Sequence, residues 1–172
     1  MDFDYLVFIG RFQPLHQGHL YVIRRGLERA ARLIVLLGSA QESRTAKNYW
    51  TVAERAALFR AALTPAEWAR LTLRPLLDKP GDDAAWVAQV RGLVGAIAPA
   101  GARIGLIGHD KDASSYYLRL LPDWPLLAVD NYQHISATPL RARWLAGERE
   151  IAEIPPEVLK QLESFARDSA AD

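Results

Sequence analysis

The chain lacks cysteine altogether and has a single methionine among its 172 residues. Without thiols there is no disulfide scaffold, no thiol nucleophile and no cysteine-based zinc or iron–sulfur centre. Net charge is nearly absent as well, with 21 Lys+Arg against 20 Asp+Glu. That balance argues against broad binding to nucleic acid or to anionic lipid. No segment reaches the roughly 18 uninterrupted apolar residues that a membrane helix needs. The opening Met1-Asp2-Phe3-Asp4-Tyr5 bears acids where a signal peptide bears cations, so the chain reads as a soluble cytoplasmic protein. Repeats, low-complexity tracts and linkers are missing too. Gly10 and Gly18 do not make G-x-G-x-x-G, and no G-x-x-x-x-G-K-[ST] occurs, so the dinucleotide and P-loop readings lose their usual warrant. Even lysine is scarce. The cations divide into 17 Arg and 4 Lys, and Arg is the better bidentate clamp for phosphate.

What is present is a core-forming chain, 50% hydrophobic and 24% charged, of a length that suits one domain. Tyr5-Leu-Val-Phe-Ile9, closed by Gly10, has the continuous apolar run of a strand buried on both faces. Leu20, Ile23, Leu27 and Ala31 then fall at helical spacing, with Arg24, Arg25, Glu28, Arg29 and Arg32 on other faces. Leu33-Ile-Val-Leu-Leu37 before Gly38 repeats the strand pattern, which makes a βαβ unit and implies a parallel sheet. Thr51 with Glu54, and Thr64-Pro65 with Glu67, are helix starts. Leu71–Leu77 reads as a strand in which Pro75 argues against a central position. Trp86, Val90, Leu93 and Ile97 define another helix, and Arg103–Gly108 and Leu126–Val129 two more strands. Thr138-Pro139 is expected to cap a helix to about Ala146, and Pro155-Pro156-Glu157 to open the last one. The fold class is α/β: a Rossmann-like, doubly wound parallel sheet with a short helical C-terminal tail, spanning 1–172 as one domain.

Ligands of open α/β sheets bind beyond the carboxyl ends of the strands, so the loops after the strands carry the functional reading. The first, Gly10-Arg11-Phe12-Gln13-Pro14-Leu15-His16-Gln17-Gly18-His19, is the most informative. Gly10 lets a ligand approach the backbone, and Arg11 adds a fork donor. His16 and His19, three residues apart at a helix start, lie beside free N–H groups and the positive end of the helix dipole. Such a constellation suits an anion, above all a polyphosphate. Later, Gly108-His109-Asp110-Lys111-Asp112-Ala113-Ser114-Ser115-Tyr116-Tyr117 leads from a strand into a helix. Trp86 reads either as a core anchor of its helix or as a platform for a pyridinium ring. Trp68, Trp124 and Trp144 read as packing. Asp78 and Asp82-Asp83 read as solvated loop acids.

Two motifs carry a resemblance. Gly10 to His19 resembles the H-x-G-H signature of the nucleotidyltransferase superfamily related to class I aminoacyl-tRNA synthetases. Ile135-Ser136-Ala137-Thr138-Pro139-Leu140-Arg141 resembles its second motif, I-S-x-T-x-x-R. With Gly38-Ser39-Ala40-Gln41, Asn48-Tyr49-Trp50-Thr51 plus Glu54-Arg55, and the Gly108–Tyr117 stretch, they resemble the nicotinamide-nucleotide adenylyltransferases. The likeness is in particular to the bacterial branch often fused to a Nudix hydrolase and to archaeal relatives. A Lys-Met-Ser-Lys-Ser loop and the Nudix signature are absent, so no Nudix domain and no ADP-ribose pyrophosphatase activity are expected.

The resemblance implies an enzyme that joins ATP and nicotinamide mononucleotide (NMN) into NAD and pyrophosphate. It assigns His16, His19, Arg141 and Arg11 to catalysis on the ATP phosphates. Gly10, Phe12, Gly18, His109, Lys111, Asp112, Ser136 and Thr138 are assigned to ATP binding. Ser39, Lys47 and Trp86 are assigned to the mononucleotide. Lys47 stands where archaeal relatives usually present Arg, and Arg44 competes with it for the mononucleotide phosphate. No protein metal cage is expected; a divalent cation, normally Mg²⁺, would bridge phosphate oxygens. Partners are then the two substrates and the product, without nucleic acid or membrane, and self-association into a homo-oligomer is left open. The alternatives keep the chemistry on another acceptor (nicotinate mononucleotide, phosphopantetheine or FMN), use a cytidylyl donor, or make the chain a non-catalytic nucleotide sensor.

Overall fold

The computed structural model describes residues 1–109, 116 and 119–171. Among these, five parallel strands form one sheet: β1 (Phe3–Gly10), β2 (Ala30–Leu37), β3 (Leu71–Pro75), β4 (Ile104–Gly108) and β5 (Leu126–Ala128), in the order β3-β2-β1-β4-β5. The helices are α1 (Gln17–Leu27), α2 (Val52–Ala62), α3 (Pro65–Trp68), α4 (Asp83–Gly95), α5 (Ala137–Leu145) and α6 (Pro156–Ala171), with a 3₁₀ turn at Tyr132–His134.

The period-two geometry of a strand explains why β1 and β2 are apolar throughout. Leu6, Phe8, Leu33, Val35 and Leu37 enter one core, with Ile23 of α1, Phe59 of α2, Trp144 of α5 and Leu162 of α6. Their alternates Val7, Ile9, Ile34 and Leu36 enter the other, with Val90 and Val94 of α4. Trp68, Trp124 and Trp144 pack against these cores as expected. Pro75 ends β3, which is an edge strand, where a missing N–H costs no ladder bond.

The strands β3, β4 and β5 are one or two residues shorter than the sequence reading, and two helix boundaries differ for reasons the contacts show. Ala31 belongs to β2 rather than to α1, because β2 begins at Ala30, paired with Phe3 of β1. Arg70 helps to end α1 by donating to the carbonyls of Leu27, Ala30 and Ala31 at 2.7, 2.8 and 3.0 Å. Helix α5 begins one residue before Thr138, with Ser136 at the N-cap position, so Pro139 occupies the first turn, where its missing N–H would have no intrahelical partner anyway. The capping boxes at Thr51–Glu54 and Thr64–Glu67 form as the sequence indicates.

The strand order reverses at β1: the chain moves outward through β2 and β3, then returns to place β4 on the other side. That switch point puts two clefts at the carboxyl end of β1.

Candidate active site

A cavity of about 640 Å³ opens on the β2 side of β1, within the range of small-molecule sites. A second, of about 290 Å³, opens on the β4 side. They share a wall made by Ile9, Gly10, Phe12, His19, Ser136 and Ala137. Of the residues assigned from sequence, Arg11, Ser39, Lys47, Trp86, Thr138 and Arg141 line the larger cavity only, and His16, Gly18 and His109 the smaller only. Lys111 and Asp112 lie outside the described residues.

The two histidines do more than face the site. His16 is the N-cap of α1; its Nδ1 accepts from the N–H of Gly18 at 3.0 Å and of His19 at 3.4 Å. His19 Nδ1 accepts from the His16 N–H at 3.1 Å. The result is a reciprocal capping box in which both side chains are imidazoles, stacked at 3.6 Å between ring centroids. A nitrogen that accepts carries no proton, so each neutral ring must hold its hydrogen on Nε2. Burial then disfavours the cation. His16 is pushed down from 6.5 to about 4 by desolvation, with repulsion from His109 adding to it. His19 is held well below 6.5 by burial and by its two histidine neighbours. Near neutral pH the pair therefore presents two Nε2–H donors without charge. Gly18 is required between them, because a Cβ there would lie 2.8 Å from His16 Cε1.

One sequence expectation needs correction. The first-turn N–H groups of α1 are not free: those of Gly18 and His19 go to His16, and that of Gln17 to the Glu153 carbonyl at 2.9 Å. The open helix end belongs to α5 instead. Ser136 makes no capping hydrogen bond with its side chain, and Ser136, Ala137 and Thr138 line the larger cavity.

Positive charge gathers on the wall formed by the loops after β1 and β2. Arg141 is buried, donating from Nε to Ala46 O at 2.6 Å and from Nη1 to Gln13 O at 2.7 Å. Desolvation, then repulsion by Arg11, lowers its pKa. Among the described residues no carboxylate pairs with Arg11, Arg55 or Arg141. Unpaired guanidiniums around a cavity call for an anionic ligand.

Arg44, by contrast, is spoken for. It grips the Glu54 carboxylate with two bonds of 2.7 and 2.8 Å, lies over the Tyr49 ring and lines a separate small crevice. Lys47 is the one of the two that borders the main cavity. Trp86 packs against the second core, as its reading as a helix anchor has it, and also borders the cavity.

Sequence reasoning missed Gln13, Asn48, Glu42 and Asp78, all on the same wall. Gln13 exchanges two 2.9 Å hydrogen bonds with the Trp50 backbone, tying the loop after β1 to that after β2. Asp78, read from sequence as a solvated loop acid, is exposed and also accepts from Ser39 Oγ at 3.1 Å and Gln41 Nε2 at 2.8 Å, which ties it to the loop after β2. On the other side His109 Nδ1 lies 2.7 Å from the Val129 carbonyl, which can only accept, so the proton is on Nδ1 and a neutral ring offers Nε2 as an acceptor. The described residues contain no cluster of three or more His, Asp or Glu side chains that could hold a metal ion. None of their helices is long and apolar enough to cross a membrane.

Comparison with known proteins settles the family. The cytidylyltransferase-like family matches over residues 7–143. A nicotinamide/nicotinic acid mononucleotide adenylyltransferase of Acinetobacter baylyi is 40% identical across 95% of this chain and 87% of its own length. The chain belongs to the cytidylyltransferase-like family, in its nicotinamide-nucleotide adenylyltransferase branch. A nicotinamide-nucleotide adenylyltransferase of Ignicoccus hospitalis is 35% identical over 91% of both chains. Among solved structures, a bifunctional NMN adenylyltransferase/ADP ribose pyrophosphatase from Francisella tularensis superposes with a TM-score of 0.88 at 31% identity. That match covers 96% of this chain and 50% of the solved one, so the chain spans about half the length of that protein. Another structure of the Francisella enzyme holds AMP and a manganese ion. The family's fold, a parallel Rossmann-like sheet ending in a helix, is the one described above.

Proposed function

We propose that this protein transfers the adenylyl group of ATP to nicotinamide mononucleotide, forming NAD and releasing pyrophosphate. The observation that carries this reading is the pair of cavities meeting over one shared wall, which holds His19, Phe12 and the open start of α5. A reaction between two nucleotides needs one pocket for each and a common place for their phosphates. The mononucleotide belongs on the β2 side, with Trp86 beneath the pyridine ring, Ser39 nearby and Lys47 at the phosphate. ATP belongs on the β4 side, where His109 Nε2 can accept from an adenine amine or a ribose hydroxyl.

In the reaction an oxygen of the mononucleotide 5′-phosphate bonds to the α-phosphorus, and the bond to the β-phosphate oxygen breaks with its electron pair leaving on pyrophosphate. The nucleophile is already ionised, so neither a side-chain nucleophile nor a general base is needed. The protein's share is alignment and stabilisation of charge. Nε2–H of His16 and His19 donates to α- and β-phosphate oxygens as neutral imidazole. Arg141 and Arg11, on the larger-cavity side of the shared wall, supply the positive field for β,γ-phosphates that reach across that wall, joined by Ser136, Thr138 and the first-turn N–H groups of α5. Mg²⁺ neutralises phosphate charge when bound. Glu42 and Asp78, the cavity's carboxylates, are already hydrogen-bonded to Asn48 and to Ser39 and Gln41, which suits an ion held by phosphate oxygens and water.

The test is a turnover assay with ATP, Mg²⁺ and a panel of acceptors, following pyrophosphate and dinucleotide. NAD formation from NMN is expected. Turnover of phosphopantetheine or FMN without NMN would replace the acceptor while leaving the chemistry, and no pyrophosphate with any acceptor would favour a nucleotide sensor.

A further inference from the structure

Arg55, on α2, is fully buried beneath the larger cavity and takes no place in the chemistry above. Its Nη1 donates to the carbonyls of Arg11 at 2.8 Å and Gly38 at 2.7 Å, its Nη2 to Ser39 O at 3.5 Å and its Nε to Thr51 O at 3.4 Å. A buried cation with no salt bridge is costly; burial, then repulsion from Arg11, pushes this one down to about 10 against the opposing attraction of the Asp78 carboxylate.

The acceptors explain why the cost is tolerated. Phe12 and Ser39 are non-glycine residues in the left-handed region, at φ 51° and 49°. Each such residue is strained and persists only where its surroundings over-determine it. The Arg11 carbonyl belongs to the peptide that enters Phe12, and those of Gly38 and Ser39 to the peptides on either side of Ser39. One guanidinium thus holds both left-handed residues. Phe12 lies edge-on to His19 at 4.8 Å between centroids, and Ser39 binds Asp78 on the mononucleotide side. The same guanidinium offsets the dipoles of the Arg11, Gly38 and Ser39 carbonyls it binds.

We propose that Arg55 is a positioning residue for adenylyl transfer: by locking Phe12 and Ser39 it fixes the ATP-phosphate loop after β1 against the mononucleotide loop after β2. The inference rests on the adenylyltransferase reading.

Arg55→Lys keeps the charge and loses the fork, and Arg55→Met loses both. Because small misplacements in an aligned site cost up to roughly 100-fold, folded Arg55→Lys is expected to lose roughly 10- to 100-fold in kcat with KM for both substrates nearly unchanged. A folded Arg55→Lys with kcat within about twofold of the parent overturns the proposal, since a merely structural role lowers melting temperature without touching turnover. Should neither variant fold, the parent decides. Its Arg55 Nε–H NMR resonance is expected to shift on saturation with pyrophosphate, and an unmoved resonance overturns the proposal. A parent that makes no dinucleotide refutes the adenylyltransferase reading instead, while the pyrophosphate titration still judges Arg55.

Discussion

Replacing His16 by Asn separates the two jobs of that side chain. Asn is among the best N-caps, so its Oδ1 can take over the acceptor role toward Gly18 and His19. It has no counterpart to the outward Nε2–H. Losing one preorganised donor to a transition-state oxygen typically costs about 10²–10³ in kcat, and that is the loss expected here with the fold retained. A second readout follows from proton linkage. The folded-state pKa of His16, about 4, lies below the ordinary 6.5. Below pH 6.5 the unfolded chain therefore binds a proton that the folded protein refuses until about pH 4. Stability is fully present above 6.5 and falls through that window, and the His16 share lost between pH 7 and 4.5 is on the order of 2 kcal/mol. His19 is shifted the same way by burial and adds to the loss. His16→Asn should flatten this acid slope by about one proton. Steady-state kinetics at pH 7.5 and urea titrations at pH 7 and 4.5 measure both. A variant with parental kcat, or one whose stability falls as steeply as the parent's, refutes the assignment.

Gly18→Ala should lower kcat at least about tenfold even though Ala improves helix propensity by about 1 kcal/mol, because the new methyl strikes the His16 ring; kinetics and melts on one sample separate the two effects. Arg141→Lys replaces two separately placed donor nitrogens, Nε on Ala46 O and Nη1 on Gln13 O, by one ammonium, so a stability loss of about 1–3 kcal/mol is expected together with a raised KM for ATP, read by denaturation and by ATP titration. Lys47→Ala should raise KM for the mononucleotide, whereas Arg44→Ala should leave it unchanged, since only Lys47 borders the cavity. Trp86→Ala should raise the same KM more than it lowers the melting temperature; the reverse pattern would make the indole a core anchor alone.

The strands β1 and β2 were legible because an unbroken apolar run has one good explanation, burial on both faces. Thr51 and Thr64 were legible because a capping box is a local device. The extension of β2 back to Ala30 was not, since it depends on pairing with Phe3, a partner that helical spacing cannot reveal. Thr138-Pro139 misled by two residues because Ser136 offers an equally good cap. The histidines were found by motif, yet their capping of one another was hidden, as imidazole is not among the habitual N-caps. Arg55 sat inside a quoted motif without a role, because an arginine on an amphipathic helix looks solvent-facing until the tertiary contacts bury it.

The ties between the loops after β1 and β2 have a consequence for how such a site can change. Arg55, Arg141 and Gln13 all fasten onto main-chain groups, those of Arg11, Gln13, Gly38, Ala46 and Trp50 among them. Every residue type supplies the same carbonyl, so neighbours such as Ala46 and Lys47 can be exchanged without loosening the frame. Acceptor preference can drift by substitution on the wall while the distance between attacking oxygen and phosphorus stays set by the backbone.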